Sequence, residues 1–211
     1  MTSAPDLFYE AAIHEVRDMG ALLSLATASH RFLEFLAKSS MWLLMVLMSV
    51  TIFDVICRKM APVYPDTFAF IPYSKLQELE WHLHTALFSF WMGYNYVINA
   101  HPRVDSYVEN LSLRTRAWIE FICLLVFAIP YMYVVIYYGW DFWWQSWISN
   151  EVSDAALGLS HRWIIKGVYF IGLLLMMLGL LTVLVRLMAF LFGGYTAEQA
   201  DVRLGHVQVD V

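Results

Sequence analysis

Of 211 residues, 60% are apolar and only 15% charged, the net charge is −5 and the mean hydropathy is +0.58. A soluble domain carries about 25% charged residues, so this composition excludes a soluble globular class. With no basic patch it offers nothing to nucleic acid, and the chain falls among integral membrane proteins.

The N-terminal segment, residues 1–39, is mixed in character. Ile13, Val16, Gly20 and Leu23 share one helical stripe, with Glu10, His14, Arg17 and Asp18 opposite, which predicts an interfacial helix lying on the membrane surface and leading into the first span. No basic stretch or small-residue cleavage site precedes the first long apolar run at Met41, so a signal peptide is not expected. Four transmembrane helices then follow between residues 40 and 192: Ser40–Cys57, Leu79–Asn99, Ala117–Ile148 and Trp163–Phe192. Each is near or above the roughly 20 residues that cross the hydrocarbon core. Pro130 should kink the third, and Gly167–Val185 in the fourth holds no charge. Residues 193–211 read as a tail. The expected fold is an all-α integral membrane protein with four spans behind an N-terminal interfacial segment.

The aromatic residues support this map. Trp42, Trp81, Trp118, Trp140, Trp143, Trp144, Trp147 and Trp163 all lie at or near an expected span end, and Trp91 alone is mid-span, as an aromatic belt requires. With four spans the termini share a side. Arg17, Arg31, Lys38, Arg103, Arg114, Arg116, Arg186 and Arg203 lie there, against Arg58, Lys59, Lys75, Arg162 and Lys166 on the other. That bias puts both termini in the cytoplasm. Cys57 and Cys123 then sit near opposite faces, beyond the ~7 Å Cα separation that a disulfide allows.

Chemistry-bearing residues gather in three places. Asp54 and Arg58, four apart on one helix face, suit an ion pair, either closing the helix at the interface or serving a partner contact or an ion path. In the second span, Gln77, Glu80, His84, Phe88, Trp91, Asn95 and Asn99 fall on one stripe about 100° wide. Polar groups left in lipid cost several kcal/mol each, so the stripe should face a helix of this chain or of a partner. After it come His101, Arg103 and Asp105 in a basic loop. Haem-binding bundles use histidine pairs on facing helices. His82 and His84 point about 200° apart around their helix, and no span carries a second mid-membrane histidine. There is no Cys-x-x-Cys-His, phosphate-binding or dinucleotide-binding motif, and enzyme activity is not expected. Two related halves with polar, interrupted spans, which mark alternating-access carriers, are also missing. The residues describe a small helical membrane subunit that packs against something larger.

The chain resembles the small membrane subunit (DctQ-like) of tripartite ATP-independent periplasmic transporters, the TRAP family. Asp54-Val55-Ile56-Cys57-Arg58 is similar to that family's Asp-Val-x-x-Arg, Glu78-Leu79-Glu80-Trp81 to its acidic, Trp-bearing start of the second span, and His101-Pro102-Arg103-Val104-Asp105 to its Gly-His-Val-Arg-Val-Asp loop. Leu111–Trp118 and the order Glu151, Ser153, Leu159, Arg162-Trp163, Lys166 continue the likeness. The resemblance implies a scaffold in the bacterial inner membrane. It would brace a large, DctM-like subunit that carries the substrate and sodium sites, and help dock a periplasmic, DctP-like binding protein for uptake of an organic anion, a carboxylate. No cofactor is expected in this chain, lipid surrounds it, and Asp54, Arg58, Glu80, His84, Trp91, Asn95, His101, Arg103 and Asp105 would serve subunit contacts. The alternative from another class is a haem- or quinone-binding membrane anchor of a redox enzyme.

Overall fold

A computed structural model describes residues 4–100, 110–155 and 158–204, with side chains from residue 18 onward. Every described element is helical: α1 (Ala4–Met60), α2 (Pro65–Phe68), α3 (Tyr73–Val97), α4 (Leu113–Cys123), a π-helical turn (Leu124–Ala128), α5 (Ile129–Ile148) and α6 (Trp163–Leu191).

Three helical stretches are long and apolar enough to cross a membrane: Asp18–Met60, Leu113–Ile148 and Trp163–Leu191. The remaining expected crossing, Leu79–Asn99, is a helix of sufficient length, for α3's 25 residues reach about 37 Å at ~1.5 Å per residue. Its apolarity falls short because Glu80, His82, His84 and Asn95 sit within it. The N-terminal segment is helical as well. It runs unbroken into the first span as one 57-residue helix. The reason is local: after Pro5 no proline interrupts it, and the one interior glycine, Gly20, costs only about 1 kcal/mol.

At Pro130, where the sequence predicts a kink, the backbone widens. Proline lacks an N–H and crowds the carbonyl four residues back, here that of Val126. The π-helical turn contains that carbonyl, and Ile129 N–H reaches five residues back to Leu124 O. Other helices end on left-handed residues: Asn99 (φ 59°) after α3, Asn150 (φ 46°) after α5 and Gly194 (φ 71°) after α6. Ala100 N–H bonds Asn95 O and Glu151 N–H bonds Ser146 O, the Schellman pattern that satisfies terminal carbonyls, while after α6 Tyr195 N–H reaches six residues back to Ala189 O.

By internal packing the chain divides into two units. The first comprises Glu34–Met92 and Met132–Leu175; the second comprises Met1–Leu33, Gly93–Tyr131 and Met176–Val211. In the first, Ala37, Cys57, Met132, Ile165, Leu173 and Leu175 are buried. α3 and α6 nearly touch there, since a Cβ on Gly172 would lie 2.6 Å from Ser89 Cβ. The core of the second includes Leu33, Val97, Leu124, Leu180 and Leu187. Its α3–α6 contact is as close: a Cβ on Gly179 would lie 2.6 Å from the Gly93 carbonyl oxygen. Small residues that let backbones meet are how helices associate where lipid removes the hydrophobic drive. Outward, Trp42, Met45, Met48, Ile52 and Phe53 on α1 and Phe127, Tyr131, Val134 and Tyr138 beyond α4 are exposed, as surfaces bathed in lipid should be. The expected tail is folded as far as Leu204, with Ala200 and Leu204 buried. Both cysteines are free, Cys57 buried and Cys123 exposed.

Candidate functional site

In the first unit the polar groups concentrate where α3 begins. Tyr73 starts α3, and its hydroxyl donates to the carbonyl of Cys57, 3.4 Å away. Arg58 Nε donates to Asp54 Oδ2 at 2.6 Å, its Nη2 to the Tyr73 carbonyl at 3.4 Å, and its guanidinium lies 5.3 Å from the Tyr73 ring centre. The expected Asp54–Arg58 pair therefore exists and ties the end of α1 to the start of α3. It is asymmetric, with the Asp54 side chain 7% exposed and that of Arg58 45%. Asp54 Oδ1 is buried with no hydrogen-bond partner among the described residues.

The strongest polar clamp is Glu78, one turn further on. Its Oε1 accepts from the Ser153 hydroxyl and its Oε2 from the Leu159 N–H at 2.5 Å. The loop it grips is closed by Ser153 N–H to Leu159 O, 3.2 Å, and by Arg162 N–H to Glu151 O, 3.0 Å. Gly158 is required in this loop, since a Cβ there would lie 2.2 Å from Ser153 Cβ and 2.8 Å from Glu78 Oε1. The Ser153 hydroxyl, then the Leu159 amide, hold the Glu78 carboxyl below its ordinary range against the opposing effect of burial. Beside it, Glu151 bonds Lys166 and lies 3.8 Å from Arg162. Lys166 chiefly, through that bond, pulls the Glu151 carboxyl below its ordinary range. Lys166 also sits 3.9 Å from the Phe142 ring centre and Arg162 5.7 Å from that of Trp81. These groups line a cleft of about 340 Å³.

Both carboxyls have depressed folded values, so the stability they lend is present above the ordinary carboxylate range. It is lost as the pH falls through that range and on through the depressed values. Limited proteolysis across 149–161 should be slow at neutral pH and fast below about pH 4. Glu78→Gln should make it fast at neutral pH as well, because a side-chain amide cannot accept at both positions and one buried donor is left unpaired, costing about 1–3 kcal/mol. Equal rates in both proteins at both pH values would show that the loop does not depend on Glu78.

The expected stripe on α3 is only partly covered. Glu80 is half-buried, and its Oε1 has no hydrogen-bond partner among the described residues. His84 is exposed, its ring 6.0 Å from that of Phe88, and Phe88 is itself 36% exposed. Trp91 and Asn95 are half-buried. The face that α3 buries within this chain is a neighbouring one, Glu78, Ser89, Gly93 and Val97. His101, Arg103 and Asp105 lie outside the described residues.

The second unit holds a cluster that sequence reasoning missed. Arg186, 3% exposed, donates from Nη2 to Asp201 at 2.7 Å and to His30 Nδ1 at 2.9 Å. Asp201 also accepts from Arg203 Nε at 2.9 Å. The available signal was Arg186 itself: a cation inside an apolar helix needs a buried partner. Nearby on α3, the Tyr96 hydroxyl donates to Glu120 at 2.5 Å.

The described histidines are dispersed among separate partners. His82 Nδ1 lies 2.6 Å from the Glu78 carbonyl, His161 bonds Ser160 and His30 faces Arg186. Among the described residues no three His, Cys, Asp or Glu groups are placed to hold a metal ion.

Residues 47–190, more than half of the chain, match the family model described as "Tripartite ATP-independent periplasmic transporters, DctQ component". No curated protein matches the chain, nor does any solved structure.

Proposed function

The chain belongs to the DctQ component family of tripartite ATP-independent periplasmic transporters, the small membrane subunits of these systems, and from that premise we propose what this subunit does. It is a fixed brace for the large membrane subunit, and it helps the periplasmic substrate-binding protein dock during cation-coupled uptake of an organic anion, a carboxylate. Substrate and sodium are handled by the large subunit, and this chain itself has neither a cofactor nor an enzymatic role. It lies in the bacterial inner membrane.

The observation that supports this reading is the half-covered face of α3. A helix carrying Glu80, His84 and Asn95 is too polar to cross bare lipid, yet its other face fits closely against Gly172 and Gly179 of α6. Covering the stripe with a helix of the large subunit would make α3 the fourth span and satisfy Glu80. The redox-anchor alternative gains nothing from histidines so dispersed.

In this reading both termini are cytoplasmic, and the Trp140–Trp147 cluster and the Glu78-clamped loop are periplasmic, where a soluble binding protein can reach them. Cysteines placed at Ser153 and Thr196, in a background with Cys57 and Cys123 changed to serine, test the orientation. A membrane-impermeant maleimide applied to whole cells should label Ser153→Cys and spare Thr196→Cys; the opposite labelling would invert the map.

A further inference from the structure

We propose that the cleft between the starts of α3 and α6 is a binding site for one membrane phospholipid, with its phosphodiester on Arg162 and an acyl chain in the slot beyond. The starting point is an imbalance of hydrogen bonding. Of the two cations lining the cleft, Lys166 is matched by Glu151 through a direct hydrogen bond. Arg162 is not matched in this way. Its nearest carboxylate oxygens, on Glu151 and Asp154, are 3.8 and 3.9 Å away, beyond hydrogen-bond reach, and the Asp154 side chain is fully exposed. Glu78, the other nearby carboxylate, is occupied by Ser153 and Leu159. Arg162 Nε is buried with no hydrogen-bond partner among the described residues. A guanidinium offers five donors in a planar fork that matches phosphate oxygens two at a time.

The rest of the lining selects among phosphates. Ile165 and Tyr169, four apart on α6, with Phe142 and Trp81 opposite, give the cleft an apolar wall, which suits a hydrocarbon chain and not an aqueous anion. Its volume of about 340 Å³ is that of a ligand site. The Glu151 carboxylate beside Arg162 disfavours a doubly charged phosphomonoester and tolerates a singly charged phosphodiester. The same unit carries the belt in which Trp140 stacks on Trp144 at 5.7 Å and Trp147 meets Trp163 at 4.3 Å. Such belts sit at headgroup level, the depth at which a phosphodiester and the root of its acyl chain are found together.

Native mass spectrometry of the delipidated full-length chain tests this, with dioleoylphosphatidylglycerol, dioleoylphosphatidylethanolamine, dioleoylglycerol and inorganic phosphate as probes. One phospholipid should bind at least about tenfold more tightly than dioleoylglycerol, since charge-assisted hydrogen bonds are lost with the phosphate. Arg162→Gln should remove that preference and Arg162→Lys restore part of it. Ile165→Trp, which narrows the slot and leaves Arg162 in place, should weaken phospholipid binding too. All three variants are to be checked for an unchanged melting profile without lipid, so that loss of binding is separated from loss of fold. Equal binding of dioleoylglycerol, displacement of the lipid by inorganic phosphate at the lipid's own concentration, or retention of the preference in Arg162→Gln would each overturn the assignment.

Discussion

Changing Glu80→Gln, His84→Leu and Asn95→Leu together is expected to abolish uptake by the assembled transporter while the chain still inserts in the membrane. The three residues lie on one stripe of α3. Within this chain Glu80 leaves a buried oxygen unpaired and His84 is exposed. Interhelical hydrogen bonds in membranes average only about 0.6 kcal/mol, so a single change can pass unnoticed and the triple change is the informative one. Removing polarity makes α3 a better solitary span and a poorer partner. Insertion should hold or improve as transport fails.

The second large effect is steric. Gly179→Ala places a Cβ about 2.6 Å from the Gly93 carbonyl oxygen, closer than real Cβ contacts come, and the obstacle is backbone that cannot rotate aside. Overpacking of this kind costs about 1–3 kcal/mol, or a fall of several degrees in melting temperature at this chain length. Gly179→Leu should prevent α3 and α6 from meeting there and leave little folded protein. Gly172→Ala, facing Ser89 at 2.6 Å, should behave like Gly179→Ala. Gly20→Ala is the control: its Cβ would meet only the Tyr195 hydroxyl at an ordinary 3.6 Å, and alanine suits a helix better than glycine. Thermal melts in detergent measure all four. A Gly179→Ala protein as stable as the parent would mean that the α3–α6 approach is not held by small residues.

How much of this could be read from the sequence depended on distance along the chain. The Asp54–Arg58 pair was legible because a spacing of four fixes it within one helix. The ends of α5 and α6 were legible from tryptophans and from the exhaustion of apolar residues. The DctQ resemblance rested on short motifs in a fixed order, and the matched family covers the same stretch. That the N-terminal helix joins the first span without a break follows from an absence, since no residue there stops a helix.

Contacts between distant residues were hidden. Glu78 was placed just outside the second span and Glu80 on its polar stripe, so the clamp that Glu78 forms went unread. The partners of Glu78, Ser153 and Leu159, lie 75 and 81 residues on, with nothing local to announce them. Arg186 did carry a signal, a guanidinium still within the apolar α6, but its partner Asp201 lay in a segment read as a tail. The glycine seam was overlooked for a different reason: the stripe was built from polar side chains, whereas α3 packs within the chain through its smallest ones.

The central claim is that the polar face of α3 belongs to the large subunit. Co-purification tests it most directly, using the Glu80→Gln, His84→Leu, Asn95→Leu protein expressed with its large partner, beside the melting of the same variant alone in detergent. The account predicts that the partner is lost from the purified complex while the isolated variant melts as the parent does. If the isolated variant unfolds and the complex suffers nothing beyond that, the stripe serves this chain's own bundle and the claim is contradicted.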